Sequence, residues 1–312
     1  TVPYGALGAG GIVFLRADFS TAGGRDGIYF IDAVRATSTF EFVGGATWYP
    51  NSPAASPDGR SIAYPRYSDI SSLFDVYTAN VNGSGERQMS AFPGQDGPVT
   101  WTPDGSALVY DAAAADYSFN LYRQAATSVG TSGGEQITHF PYLCGSPCPL
   151  TYGDADRAAV SPSGQIAWAN HSTIELSSPD GSAISTLYTL PPAAPGEWAT
   201  VHGPAWSPDG THLAFVTLAG TTANGMAGER HKLSVTVIDK DGANESVVTT
   251  VLASGSVEIG GYSDIYSMCW SADGSHFVFN VPDGDPQSHI WVVNVDGSGL
   301  TQVTTAAGVW DM

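Results

Sequence analysis

The pentapeptide Trp206-Ser207-Pro208-Asp209-Gly210 is closely followed by an alternating strand, Leu213-Ala214-Phe215, and this combination recurs along the chain. Proline presets φ, aspartate caps the turn locally and glycine accepts a positive φ, so the pentapeptide predicts a tight turn between two strands. Related turns begin at Ala55, Trp101, Val160 and Trp270. A recurring unit of this size indicates a repeat architecture.

Each turn leads into a strand that ends in an aromatic residue, and apolar alternation with period 2 indicates that one face of the strand is packed. The other copies are Ile62–Tyr64, Leu108–Tyr110, Ile166–Trp168 and Phe277–Phe279, with a sixth at Ile12–Phe14 that has no turn before it. Third strands are predicted at Ile28–Asp32, Val76–Asn80, Leu121–Ala125, Thr173–Ser177, Leu233–Asp239 and Ile290–Asn294.

A second glycine turn, clearest at Asn82–Gly85 and Asp296–Gly299, leads to a fourth strand such as Leu300–Thr304. Four antiparallel strands that return about every 45 to 65 residues are the blade of a propeller. The segment Asp239–Glu245 resembles a calcium loop, but it falls at this second turn and lacks EF-hand spacing, so we interpret it as a turn.

The first unit lacks its innermost strand, and the sequence ends Gly308-Val309-Trp310-Asp311-Met312. We expect residues 309–312 to supply that strand, with Trp310 in the position held by Trp101, Trp206 and Trp270, because such closure removes an open sheet edge. The sequence thus predicts one all-β domain over residues 1–312. It would be a six-bladed β-propeller of four-stranded antiparallel blades, closed by the C-terminal strand joining the N-terminal blade, with residues 1–10 as an N-terminal arm.

The repeat unit, ending in Val-Asn-Val-Asp-Gly-Ser-Gly-Leu-Thr-Gln-Val-Thr at Val293–Thr304, resembles the WD40-like repeat of the TolB C-terminal propeller over essentially the whole chain. The resemblance implies a propeller fold. The same repeat serves binding modules, peptidase accessory domains and polysaccharide lyases, so it does not assign an activity. The α/β domain that precedes the propeller in TolB is not found in this sequence, so the TolB partnership with a peptidoglycan-associated lipoprotein is not carried over.

The chain carries a formal net charge of −19, with lysine only at Lys232 and Lys240. This charge disfavours binding to nucleic acid and to anionic lipid headgroups. The sequence contains no run of 18 apolar residues, so it does not predict a transmembrane helix. Scarce lysine, a Ser/Thr/Gly-rich surface and a start at Thr1 indicate an exported, mature product that is extracellular or at the cell surface, with the periplasm as the alternative.

Three cysteines are present. Cys144 and Cys148 flank Gly-Ser-Pro and could close a small disulfide ring, with free thiols or a partial metal site as alternatives. Cys269 lies beside Trp270 in an apolar strand, and we expect a buried thiol there.

The loops opposite the regular turns vary in length, and variable loops on a rigid scaffold are where binding usually occurs. At the entry of the inner strands, around the mouth of the channel, they place Asn51, Asp96, Asp156, His202 and Asp264. Carboxylates at Asp96, Asp156 and Asp264 could hold Ca²⁺, although no cofactor is required, and the alternative is that these polar groups hydrate a water-filled channel. Aromatic residues that could stack on sugars, anchor a protein or simply pack the loops are Trp48, Tyr49, Tyr142, Trp198 and Tyr262.

Three functions fit these features. The first is an exported, non-catalytic module that binds a protein or glycan through the variable-loop face. The second is a self-assembling extracellular structural protein, forming homo-oligomers or filaments through residues 1–10. The third is a metal-assisted polysaccharide lyase with His202 and Asp156 at the channel mouth. No nucleophile–base pair can be assembled from the sequence, so we lean against an enzyme and assign no catalytic residue.

Overall fold

The computed structural model describes residues 11–18, 27–32, 39–44, 53–67, 73–94, 96–113, 119–128, 134–139, 156–221, 230–254, 268–284, 287–305 and 309–311. The regular elements in these ranges are all β-strands. No helix among them has the length and apolarity needed to cross a membrane.

Three sheets are separate four-stranded antiparallel units whose hydrogen-bonded neighbours are consecutive in the chain. The first comprises β4 (Ala54–Ala55), β5 (Ser61–Tyr67), β6 (Phe74–Asn80) and β7 (Arg87–Gln88). The second comprises β8 (Asp96–Trp101), β9 (Ala107–Ala113), β10 (Phe119–Ala125) and β11 (Glu135–Gln136). The third comprises β12 (Asp156–Val160), β13 (Ile166–Asn170), β14 (Thr173–Ser177) and β15 (Ile184–Thr189).

The remaining strands form antiparallel groups joined into one hydrogen-bonded network. One group holds β16 (Glu197–Trp206), β17 (His212–Thr221), β18 (Arg230–Asp239) and β19 (Ser246–Ser254). Another holds β20 (Met268–Trp270), β21 (His276–Gly284), β22 (Gln287–Asn294) and β23 (Thr301–Gln302). The C-terminal β24 (Val309–Asp311) pairs with β1 (Gly11–Asp18), which continues into β2 (Gly27–Asp32) and β3 (Thr39–Gly44). Single parallel pairs, Ser254 with Asp283 and Ser288 with Trp310, link these groups.

The innermost strands β4, β8, β12, β16 and β20 contact one another in succession. The molecule is therefore an all-β propeller of four-stranded antiparallel sheets. The predicted third strands all lie within observed ones, and Thr173–Ser177 coincides with β14.

The repeated turn forms as predicted and satisfies its own polar groups. In the turn between β16 and β17, Gly210 has a φ of 67°, and Asp209 Oδ1 accepts hydrogen bonds from Ser207 Oγ at 2.6 Å and from the Thr211 amide at 3.0 Å. The hydrogen bond from Ser207 contributes most to lowering the pKa of Asp209 to about 2. The segment Asp239–Glu245 is also a turn, with the Gly242 amide bonded to the Asp239 carbonyl at 2.9 Å.

Apolar cores lie between consecutive sheets rather than within one. Leu218 and Val235 of the β16–β19 group pack in one cluster with Phe277 and Phe279 of the β20–β23 group, and all four are fully or almost fully buried. The cluster joins residues far apart in sequence, so each blade depends on its neighbours for burial.

The position predicted for Trp310 is wrong. Trp101, Trp206 and Trp270 pair with the first residue of the aromatic-ending strand, at Leu108, Leu213 and Phe277. By that rule Trp310 would lie opposite Ile12, yet it lies opposite Ala17. β24 does pair with β1, but the register of the pair is displaced toward the other end of β1.

The prediction that Cys269 is buried is also wrong, because its side chain is exposed to solvent. Cys269 alternates with Trp270, which packs on the β16–β19 group, so it points to the opposite side of β20. The surrounding protein still desolvates the thiol and raises the pKa of Cys269 to about 11.

Candidate functional site

Three of the predicted site residues occupy corresponding places in consecutive inner strands. Asp96 pairs with Ala112, Asp156 with Ala169 and His202 with Val216, and the register of each strand shifts immediately afterwards. A bulge re-aims side chains and is over-represented next to functional sites. We refer to the loop-side ends of β8, β12 and β16, where these bulges lie, as the bulge site.

Asp96 is 1% exposed, and its Oδ2 accepts a hydrogen bond from Ser90 Oγ. Among the described residues, Oδ1 is buried and has no hydrogen-bond partner. Desolvation is the main reason that the pKa of Asp96 is raised to about 8, and the neighbouring Asp75 raises it further, while the Ser90 hydrogen bond opposes the shift. A carboxyl group that is protonated at neutral pH can donate a hydrogen bond to a ligand.

Asp75 was missed by the sequence reasoning. It is fully buried on β6, and its Oδ2 accepts from Gln88 Nε2 at 2.8 Å. The amide of the next residue, Val76, donates a hydrogen bond to Ser90 Oγ at 2.7 Å. The equivalent bond follows Asn120 and His289, so these two residues occupy the position of Asp75 in their own repeats. An acidic residue at this position is a signal that alignment of the repeats could have found.

A further carboxylate, Asp111, lies against the bulge of β8. Its side chain is 7% exposed. A Cβ atom placed on Gly97 would collide with both carboxylate oxygens of Asp111. Glycine at position 97 therefore lets the carboxylate approach the inner strand.

Arg157 supplies a positive charge beside Asp156. The residue is 7% exposed and has a left-handed φ of 48°, which is uncommon for a residue other than glycine. Buried residues held in such conformations cluster at ligand-binding sites. With the buried Arg157 on β12 and the buried Asp96 on β8, the bulge site is polar and of mixed charge.

His202 is 9% exposed, and its Nε2 lies 2.9 Å from Thr200 Oγ1 on the same strand. This contact engages the nitrogen that a lyase base at this position could use. Trp198 is half-buried, and its ring lies over Gly220, its cross-strand partner, where a Cβ would come within 2.7 Å of the ring. Of the alternatives given for the aromatic residues, namely sugar stacking, protein anchoring and packing, this geometry favours packing for Trp198.

The other predicted residues lie outside the described residues: Asn51, Asp264, Trp48, Tyr49, Tyr142, Tyr262, Cys144, Cys148 and the arm of residues 1–10. Within the described ranges no three His, Cys, Asp or Glu side chains are grouped so that they could hold a metal ion. Calcium bound by Asp96, Asp156 and Asp264 stays a prediction, because Asp264 is not among those residues.

Comparison with known proteins agrees with the fold. No protein-family model matches the chain. It is 27% identical over 166 residues to the uncharacterized protein Atu1656 of Agrobacterium fabrum, spanning 52% of each chain, or about half the length of that relative.

Two solved structures share the architecture. TolB from Acinetobacter baumannii superposes with a TM-score of 0.67 at 14% identity, over 94% of this chain but only 63% of that one. The putative TolB from Agrobacterium tumefaciens gives a TM-score of 0.60 at 14% identity, over 94% of this chain and 88% of that one. The class of protein is thus a β-propeller. More particularly, the fold is a TolB-like propeller, and identities this low extend no further than the fold.

Proposed function

We propose that this chain is an exported, non-catalytic binding module that takes a protein or glycan at the bulge site. The observation that carries the proposal is the set of three successive bulges with buried ionisable side chains, Asp96, Arg157 and His202. Buried polar groups at a concave end of a rigid scaffold are the usual means of orienting a ligand. By contrast, the repeated turns at the other face use their own hydroxyl and amide donors.

The proposal includes a complete ring of six blades. The pairing of β24 with β1, together with its single contact to β22, supports this arrangement. A closed ring would hold the ends of β8, β12 and β16 at fixed spacing and so preorganise the site, which reduces the cost of binding. Export is supported by the composition, with its two lysines and net charge of −19.

The proposal is tested by capture on a glycan array and by pull-down from extracellular and cell-surface fractions. Two variants probe the site: Arg157→Gly, which suits the left-handed backbone while removing the guanidinium, and Asp96→Asn. The matched control is Asp104→Asn, because Asp104 belongs to a turn on the opposite face.

We expect the unmodified chain to capture a ligand that the two site variants bind poorly and that the control binds fully. All four proteins should unfold in a single cooperative transition, which shows that the variants are folded. Background capture by the unmodified chain, or equal capture by all variants, would refute the proposal.

A further inference from the structure

A cavity lies between the β16–β19 and β20–β23 groups, on the face of the regular turns. It has a volume of about 520 Å³, within the range of ligand sites in proteins. Its lining includes Asp209, Asp239, Asp273, His212, Trp270 and Val248. We refer to this cavity as the acidic groove.

The floor of the acidic groove is apolar and rigid. Trp270 packs on the fully buried Phe277 with ring centroids 4.3 Å apart, and its indole is fixed by a hydrogen bond to the Ala205 carbonyl. Val295, which also lines the cavity, is 40% exposed. An exposed apolar surface beside a fixed aromatic ring suits an apolar side chain of a ligand.

The rim of the groove is anionic. The pKa values of Asp209 and Asp273 are lowered, chiefly by hydrogen bonds from Ser207 and Ser271, so both carboxylates are ionised at neutral pH. The hydrogen bonds from Ser207 and Thr211 within the turn are all accepted by Oδ1 of Asp209. Asp239 lies with its Oδ1 3.5 Å from His212 Nε2. Three carboxylates around one opening favour a cationic ligand.

The charge at Asp239 exceeds what the fold requires. In two other repeats the matching residue is asparagine: Asn80 and Asn294 donate to Ser84 and Ser298 across the turn at 3.0 and 2.9 Å. At Asp239 the donor and acceptor are exchanged, since Asn244 Nδ2 donates to its Oδ2 at 2.7 Å. Because a neutral amide serves the turn elsewhere, the turn itself does not require a negative charge at this position, and the carboxylate faces His212 beside the groove.

We infer that the acidic groove binds an extended peptide segment of a partner protein, with an arginine side chain between Asp239 and Asp273 and a flanking apolar side chain on Trp270. Arginine suits this groove because its planar guanidinium forms paired hydrogen bonds with carboxylates and stacks on aromatic rings. The site lies on the opposite face from the bulge site and does not depend on the function proposed there.

Calorimetric titration of the whole chain with the peptide acetyl-Leu-Val-Arg-Val-Leu-amide tests the inference, with tryptophan fluorescence as a second readout. The variant Asp239→Asn restores the residue of the other repeats and should fold normally. We expect it to weaken binding about tenfold, as the loss of one charge-assisted contact does. Asp58→Asn removes the same charge from a distant turn and should leave binding unchanged.

The inference would be overturned by no binding of the peptide, equal affinity for a citrulline peptide, equal affinity of the Asp239→Asn variant, or an equal loss in Asp58→Asn. Spermidine that binds as tightly as the peptide would also refute it, because the groove would then select a small cation. Peptide binding that persists in Arg157→Gly would confirm that this site is separate from the bulge site.

Discussion

Trp270 Nε1 donates a hydrogen bond of 2.9 Å to the backbone carbonyl of Ala205, 65 residues earlier in the chain. The same bond recurs between Trp101 Nε1 and the Ala54 carbonyl at 3.1 Å. In both cases an indole on an inner strand holds the inner strand of the preceding sheet. The indole of Trp206 is the exception, because its buried Nε1 has no hydrogen-bond partner among the described residues.

This difference gives a prediction about stability. Trp270→Phe should lower the free energy of unfolding by about 1–3 kcal/mol more than Trp206→Phe, because it also leaves the Ala205 carbonyl without its donor. Both changes remove the same part of the ring, so the second is a volume control. Urea titration followed by circular dichroism measures the difference, and equal losses would show that the bond contributes nothing.

The raised pKa of Asp96 predicts how the free energy of unfolding depends on pH. Its pKa is raised from 3.8 to about 8, mainly by burial, so between those values the folded state holds a proton that the unfolded state releases. The free energy of unfolding therefore decreases as pH rises from about 4 to about 8 and levels off above that range. Asp96→Asn, which cannot ionise, should remove this part of the slope in thermal melts.

The control for that experiment is Asp104→Asn. The pKa of Asp104 is lowered to about 2, first by the Thr102 hydroxyl, so its contribution to stability is complete above 3.8 and is lost as pH falls toward 2. This variant should keep the Asp96 slope between about pH 4 and 8. If Asp96→Asn retained that slope as well, another group would be its source.

Gly97 and Asp111 should be energetically coupled. Gly97→Ala should destabilise the fold by about 1–3 kcal/mol, because the new methyl group collides with the Asp111 carboxylate. In the double variant with Asp111→Ala much of this extra cost should disappear. A double-mutant cycle by urea denaturation measures the coupling, and strictly additive losses would contradict the contact.

Cys269 should be accessible to thiol reagents but slow to react. The side chain is exposed, yet the pKa of its thiol is raised to about 11, so little reactive thiolate exists at pH 8. Labelling of the native chain with iodoacetamide, mapped by peptide mass spectrometry, should increase at Cys269 as pH rises toward 10. Labelling that occurs only after denaturation would show that the position is covered.

The sequence predicts the strands well because turn and alternation are local properties. The turn Trp206–Gly210 and the strand Leu213–Phe215 need no knowledge of distant residues, and both lie where expected. The predicted positions of Asp96, Asp156 and His202 at the loop-side ends follow from the same alternation. The features that the sequence did not predict depend on contacts between sheets.

Two features show why. The register of Trp310 is decided by pairing with a strand almost three hundred positions away in the chain, and a three-residue strand carries little information about register. The exposure of Cys269 depends on how neighbouring sheets cover β20, which its apolar neighbours in the sequence do not reveal. Similarly, the acidic groove joins two sheets, and its Asp239 looks like an ordinary turn residue until the repeats are superposed.

The indole bonds between sheets also bear on how the propeller would respond to mechanical tension. Val160 in β12 and Ala55 in β4 stand where Trp101 and Trp270 stand in their strands, and the buried Nε1 of Trp206 in β16 has no hydrogen-bond partner among the described residues. Of these described inner strands, β8 and β20 are therefore the ones that an indole hydrogen bond ties to the preceding sheet. When the chain is stretched, the pairs of sheets joined by Trp101 and Trp270 should separate after the pairs that lack this bond.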